Sequence, residues 1–490
     1  MANPSETKPI KAYSKYAIQY GVLLVVMCWG MVNTVQATYW QYFMTNVALI
    51  STGTVAFVLL VGTTFDMFAV PISGIMMEKI RLPWGKYPSW LIVGPIIVVV
   101  LFIFMFVKYP LSEAVAATLL ASAYCLACLG INTMVTSCNM AVALGSNDPK
   151  ERAVLSTKKG QGSALNGLVF GVIGLPIITF VNNSVYGADT GQNGVIGYTA
   201  LLIVLGSLLF GACFFLFIHL RKKLNYDMLQ GVDKQAELDA AEARKLAEKK
   251  LDDKPSLWVM LKMVFTNLPL VSIIVTDGLR YIGRASMLGM LPYFFRYVIG
   301  DPGGTSMFLA MSGAVALGGA IFTEIIAHKF QKKTLYLAGY LTMLTCYLLM
   351  FFFATSAMSF TVIGAIWYLG LALVNSTQVG MYSDAVDYGV HKEKKDCRAW
   401  LMAIAGFPPK FGNWGRSFVT GFGLVAIGFS ATAEMTPAVL DGLRMLMTLL
   451  PAGIFVVGII ILIFGFRLND AKMKVIQSEL AEMNLGGSKK

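Results

Sequence analysis

The sequence predicts an all-α membrane protein of about twelve transmembrane helices arranged as two six-helix bundles. Three observations predict it. Of 490 residues, 56% are hydrophobic and only 13% charged, with a mean hydropathy of +0.66, a balance suited to lipid rather than water. Apolar runs of ~20 residues or more, the length that crosses a hydrocarbon core, recur along almost the whole chain. One long charged stretch near the middle divides these runs into two equal groups.

The first group lies at roughly 16–42, 48–77, 88–107, 113–143, 155–180 and 197–219. The second lies at roughly 262–297, 305–327, 334–353, 358–384, 399–430 and 443–466. Between them DKQAELDAAEARKLAEKKLDDK sets Glu and Lys at helical spacing and reads as an exposed helix joining the halves. The domain plan is therefore a first bundle at 1–219, a linker at 220–256, a second bundle at 257–466 and a polar tail at 467–490.

Lys and Arg near span ends stay on the cytoplasmic side of a bilayer. Lys79, Arg81 and Lys86 follow the second run, Lys150 and Arg152 the fourth, Lys329, Lys332 and Lys333 the eighth, and Lys392, Lys394, Lys395 and Arg398 the tenth. The opposite loops, 181–196, 299–304 and 431–441, have no Lys or Arg and carry Asp189, Asp301, Glu434 and Asp441. This pattern places both termini in the cytoplasm and the chain in a bacterial inner membrane. The polar first 15 residues lack a cleavable signal pattern, so the first run is expected to be retained.

The net charge of +12 follows from the same loops, where anionic lipid headgroups are the neighbours, and does not call for nucleic acid. All seven Cys fall in apolar runs or on the cytoplasmic side, where disulfides are not expected. Cys125 and Cys128, a C-x-x-C inside a span, read as small packing residues. There is no phosphate loop or zinc spacing, and His219, His328 and His391 lie near span ends or inner loops, so neither an enzyme nor a cofactor or metal is expected.

Four strings carry a family resemblance. FDMFAVPISGIMMEKIRLPWGKYPSWLIVG in and after the second span resembles the corresponding signature of the glycoside, pentoside and hexuronide cation symporters, the family of the melibiose carrier. MYSDAVDYGVHKEKKDCRAWLMAIAGFPPKFG resembles its segment after the tenth span, with a D-x-V-D-Y-G core, a basic loop and a Lys in the eleventh span. NDPKERAVL and YFFRYVIGD are similar to its loop after the fourth span and to the end of its seventh. The strings fall in both halves, so the resemblance covers about the whole chain. It implies a major facilitator fold and sugar or glycoside uptake driven by a proton or sodium gradient. Hydropathy alone leaves a channel open; the charges inside the spans and the resemblance favour a carrier.

In that family cation binding uses two carboxylates one turn apart in the second span; here the positions hold Asp66 and Val70. Sodium wants several oxygen ligands, and one carboxylate fewer works against it. A lone carboxylate taken out of water can instead load and release a proton. Proton coupling through Asp66 and Lys410, which matches the family's span-eleven Lys, is therefore favoured over sodium or no coupling. The family's sugar-binding carboxylates in spans one and four align with Gly30 and Val135, so a neutral melibiose-like cargo loses its partners. Asn33, Gln36, Tyr39 and Trp40 in span one, with Asn132 and Thr136 in span four, offer neutral hydrogen bonds and a stacking face in their place.

Positive charge is added instead. In TDGLRYIGRASM, spacings of three and four put Asp277, Arg280 and Arg284 on one face of the seventh span. An Arg deep in a span costs roughly 2.5–3.5 kcal/mol on insertion scales, so two on one face need a cavity or a counter-ion. Asp277 can neutralise one of them. Asn413 and Arg416 follow Lys410, and Lys158, Lys159 and Gln161 stand near where the family places a sugar-touching Arg. The planar fork of Arg suits carboxylate or sulfate, which points to an anionic cargo.

Asp384 and Asp387, beside the basic loop after span ten, and Arg81 and Lys86, after span two, are candidates for ion pairs that gate the cytoplasmic side. The expected function is a monomeric secondary transporter that imports an anionic, hexuronide- or glucuronide-like sugar derivative by proton-coupled alternating access. Two readings stay open beside it: a sodium-coupled or uncoupled carrier of a neutral glycoside or pentoside, and, more remotely, a non-transporting sensor on a carrier fold.

Overall fold

Lipid offers no partner to a backbone N–H or C=O, so a chain with these apolar runs hides its polar groups by pairing them within helices. A computed structural model describes residues 12–80, 82–144, 149–187, 190–221, 264–327, 330–393, 401 and 404–482. Among the described residues there is helix and no strand. The charged linker, Arg81, Lys394, Lys395 and Arg398 lie outside the described residues.

The first half contains α1 (Ala12–Tyr42), α2 (Thr52–Lys79), α3 (Trp90–Met105), α4 (Glu113–Leu144), α5 (Pro149–Tyr186) and α6 (Val195–Leu220). The second contains α7 (Leu268–Tyr293), α8 (Gly304–Ala327), α9 (Lys332–Phe353) and α10 (Ala357–Glu393). Next comes α11, built from Phe407–Arg416, a π-helical turn Ser417–Phe422 and a last turn Gly423–Ala426. Then come α12 (Pro437–Gly465) and a short terminal helix, α13 (Asp470–Glu482). Eight helices are long and apolar enough to cross a membrane, and Trp90–Met105 and Gly304–Gly319 are shorter apolar helices. The other two spans, α7 and α11, are those that carry Arg280, Arg284, Lys410 and Arg416.

The boundaries differ from the sequence expectation where polarity and helicity part company. Beyond residue 384, α10 keeps its hydrogen-bonded turns to Glu393 after its apolar pattern ends. The last span begins at Pro437, because Thr436 caps it by accepting from the Val439 N–H and Pro presets the first turn. The eleventh run is not one continuous α-helix, since the π turn follows Arg416 directly. Further π-helical turns close α1 at Phe43–Val47 and α7 at Phe294–Ile299, the latter stopped by Gly300 at φ 79°.

In the first half α1 packs on α5 and α6, and α4 on α2 and α3; in the second α7 packs on α11 and α12, and α10 on α8 and α9. The halves meet along three pairs: α5 with α8, α2 with α11, and α1 with α7. Glycine sets the first of these. A Cβ on Gly313 would stand 2.0 Å from the Leu168 backbone nitrogen, and one on Gly171 would stand 2.0 Å from that of Ala310, so the two backbones touch. Away from these seams, side chains such as Phe57, Phe180, Phe352 and Phe353 are exposed to the apolar surroundings.

A methyl group at either glycine must push the halves apart. Gly313→Ala should lower the melting temperature by several degrees, the effect of overpacking at about 1–3 kcal/mol. Gly318→Ala, whose Cβ would meet nothing within 4 Å, should leave it unchanged. Differential scanning fluorimetry of the two purified variants makes the comparison.

Candidate functional site

Four side chains expected from sequence to matter come together in pairs. Midway along α2, Asp66 meets Lys410 of α11, with Nζ 2.7 Å from both carboxylate oxygens. Asn132 of α4 completes the group: its amide donates to Asp66 Oδ1 at 3.2 Å and to the Cys128 carbonyl at 2.7 Å, while its Oδ1 accepts from Lys410 at 3.3 Å. The Asp66 side chain is 10% exposed and that of Lys410 26%. The pair therefore crosses between the halves while Lys410 keeps some access to the interior.

The second pair is internal to the second half. Asp277 is fully buried and Arg280 is 1% exposed. Arg280 donates from Nε and Nη2 to Asp277 Oδ1 at 2.8 and 2.6 Å, and from Nη1 to Asn375 Oδ1 at 3.2 Å. The other Asp277 oxygen accepts from Gln378 and from Tyr382, and Tyr336 donates to Oδ1. So Arg280 is neutralised and saturated inside its own bundle, rather than standing open as an anion receptor. Gln378 and Asn375 were not singled out from sequence, although NSTQ is a polar break in an otherwise apolar span.

Arg284, one turn further along α7, has no such partner. It makes no hydrogen bond or ion pair with a described residue, and its Nε is buried and unsatisfied. It lines a cavity between the halves together with Thr34, Ser163, Asn166, Ser312 and Tyr368. Asn166 Nδ2 is spent on Thr34 Oγ1 at 3.4 Å, but its Oδ1 is buried with no donor. Gly30, which aligns with a sugar-binding carboxylate of the family it resembles, makes room for this amide: a Cβ there would lie 2.7 Å from Asn166 Cγ. A neighbouring pocket of about 280 Å³ shares Ala316 and Tyr368 with this cavity and adds Thr323, Asn375 and Ser376.

The remaining residues scatter. Lys159 is exposed and donates to Asn139 at 2.7 Å, while Lys158 lies 4.9 Å from the Tyr20 ring. Asn33 and Asn413 are exposed, and Gln36 and Trp40 are buried, Trp40 against the Tyr124 ring at 4.8 Å. Arg416 is 6% exposed and lies against Gly289 of α7. Of the gating candidates, Asp384 binds Lys332 at 2.8 Å and Lys86 binds Glu78 at 2.7 Å. Each of these two pairs lies within one half; Asp387 is half-buried on the same helix as Asp384.

Hydrogen bonds between described residues of the two halves start at Asp66 and continue toward the ends of the spans that lie opposite the basic loops. Thr63 meets Ser417 at 3.0 Å, Trp414 donates to Thr64 at 3.0 Å, Thr420 donates to Gln41 at 2.7 Å, Thr45 meets Tyr293 at 2.7 Å, and Tyr297 donates to Asn46. That end of the molecule is joined shut.

The MFS/sugar transport protein family model matches residues 22–470. The isoprimeverose transporter of Lactiplantibacillus pentosus is 25% identical over 448 residues, covering 90% of this chain and 86% of that one. A putative sulfoquinovose importer of Escherichia coli (strain K12) is 21% identical over 425 residues, covering 86% and 84%. In fold the chain is similar to the xylose transporter XylE from E. coli in a partially occluded inward-open conformation, with a TM-score of 0.61 at 11% identity over 94% of this chain and 99% of that one.

Breaking a buried pair strands the survivor. Asp66→Asn and Lys410→Gln are each expected to destabilise by about 3 kcal/mol, less for the partly exposed Lys410, and the double variant to recover much of the loss. Thermal unfolding of the three variants in detergent measures the coupling.

Proposed function

The chain belongs to the MFS/sugar transport protein family, and we propose that within it this protein imports an anionic sugar derivative together with a proton. Multi-pass membrane sugar transport is common ground with its relatives; the cargo's charge and the coupling ion are the added reading. One observation carries the cargo. A buried donor, Arg284 Nε, and a buried acceptor, Asn166 Oδ1, line the same cavity and are both unsatisfied. An unmet buried polar group costs about 1–3 kcal/mol, and a sugar acid answers both, with an anionic oxygen for the guanidinium and a hydroxyl for the amide. The adjacent Asn375, Ser376 and Tyr368 suit further hydroxyls and a ring face.

Asp66 supports the proton. Asp277 is saturated by five donated hydrogen bonds, from Arg280, Gln378, Tyr382 and Tyr336, whereas Asp66 shares its charge with one half-accessible lysine and one amide. Proton uptake on Asp66 removes its charge and loosens the tie to Lys410, and with it a link between the halves. The bound anion offsets the charge the proton adds. Two opposite charges ~10–15 Å apart at an effective dielectric of ~20 attract by ~1–2 kcal/mol, roughly a tenfold mutual gain in affinity. The Lys and Arg of the loops support a reading in which the end opposite the closed gate faces the cytoplasm, with both termini on that side.

Uptake into proteoliposomes of methyl β-D-glucuronide or sulfoquinovose should fall at least tenfold in Arg284→Gln, with thermal stability kept. Equal uptake by wild type and variant excludes the cargo assignment. In lightly buffered vesicles wild-type uptake should alkalinise the outer medium, and Asp66→Asn should abolish that signal. Uptake that requires sodium and ignores a protonophore would instead support the second reading, a sodium-coupled carrier, for which the lone Asp66 of α2 is the weaker site.

A further inference from the structure

Charge pairing inside the spans leaves a second cation over. Asp66 holds Lys410 and Asp277 holds Arg280, but Arg416 joins Arg284 in having no carboxylate among the described residues. It is 6% exposed, its guanidinium donates no hydrogen bond to a described residue, and its Nη2 is buried and unsatisfied. The ionisable side chains that act on it are Tyr124 and Tyr293, neither of them a carboxylate. Its guanidinium lies against Gly289, where a Cβ would stand 3.1 Å from Nε and 3.3 Å from Nη2, so the missing side chain gives it its place.

The position is specific. Arg416 is the last residue of the first α-helical segment of α11, and the π turn that follows contributes Thr420, whose hydroxyl lies 2.7 Å from Gln41 Oε1 and 3.1 Å from the Arg416 carbonyl. Gln41 Nε2 and the neighbouring Trp40 Nε1 are also buried donors without an acceptor. Just beyond them the Thr45 to Tyr293 bond closes the end of the spans opposite the basic loops. Arg416 thus sits behind the closed gate, one turn from the Thr420 to Gln41 link and with no carboxylate partner among the described residues.

We propose that Arg416, with Gln41 and Trp40, forms a second anion-binding station that takes the carboxylate or sulfonate of the cargo when the gate opens, before it passes to Arg284. This rests on the reading of Arg284 as the anion-binding residue of the inner cavity. When the Gln41 to Thr420 and Thr45 to Tyr293 bonds part, an entering anion passes Arg296, beside Tyr42 and Tyr297 at the outer edge of the gate, and then meets Arg416. Closure then strips the station of water, which disfavours leaving charge there and passes the anion inward to the half-buried Arg284.

Kinetics from the two faces test this. Transport of methyl β-D-glucuronide and sulfoquinovose is measured in oriented vesicles, by entry through the closed-gate face and by efflux through the other, for wild type, Arg416→Gln, Arg416→Lys and Arg284→Gln. Arg416→Gln should raise the entry KM roughly ten- to hundredfold, the range of a lost charge-assisted hydrogen bond, and leave the efflux KM within about twofold. Arg416→Lys, which keeps the charge, should recover most of the entry affinity and guards against a folding defect in the glutamine variant. Arg284→Gln should impair both directions. Equal effects of Arg416→Gln on the two faces, or none, overturn the second station while leaving Arg284 standing. No effect of Arg284→Gln overturns the cargo reading itself.

Discussion

The Asp66 to Lys410 ion pair is the constraint on which the rest of the arrangement depends. It joins α2 to α11 midway along the spans, with Nζ 2.7 Å from each carboxylate oxygen, and the other polar contacts between described residues of the halves extend from it in one direction only. A buried pair of this kind adds little net stability over a well-packed apolar pair, but losing one partner is costly. Its value is conditional: neutralising one carboxylate by a proton undoes a contact between two bodies that otherwise meet through hydroxyls, aromatic rings and the bare backbones of α5 and α8. A link that a proton breaks, placed between the two bundles, is a physical basis for the proposed coupling.

Around that pair the interior is positively charged. Arg280 is tied into Asp277 so fully that its contribution is to hold Asn375 and Gln378 in place beside the pocket. Arg284 and Arg416 have no carboxylate partner among the described residues, one facing a cavity and the other behind the gate. A bilayer interior tolerates such charges only where a partner or water is at hand. On the proposed reading an anionic cargo and a proton each relieve what the other aggravates, so their binding is mutually favourable without any contact between their sites.

Much of this was legible in the sequence. Long apolar runs and the basic loops gave the spans, because lipid forces helices and the period of hydrophobicity cannot then be read any other way. The spacing D-x-x-R-x-x-x-R gave one face of α7 with a self-neutralising pair and a cation left over, which is the arrangement of Asp277, Arg280 and Arg284. Long-range partners were harder. That Asn132 would bridge Asp66 and Lys410, or that Asn166 would fill the space left by Gly30, depends on side chains more than a hundred residues apart in some cases, and no local pattern encodes it. The break in α11 was equally hidden, since a π turn costs one extra residue and leaves hydropathy unchanged. Asp384 takes Lys332 from the adjacent helix of its own bundle, a partner 52 residues away that the basic run after α10 does not announce.

Under the proposed coupling a singly charged anion moves with one proton and the cycle carries no net charge, whereas cation-coupled uptake of a neutral sugar moves one charge per cycle. Solid-supported membrane electrophysiology with sulfoquinovose or methyl β-D-glucuronide measures this directly. Transport driven by a pH gradient but accompanied by no current, and unaffected by a potassium–valinomycin potential, is the result predicted. A substrate-evoked current that scales with membrane potential in the absence of a pH gradient would contradict it.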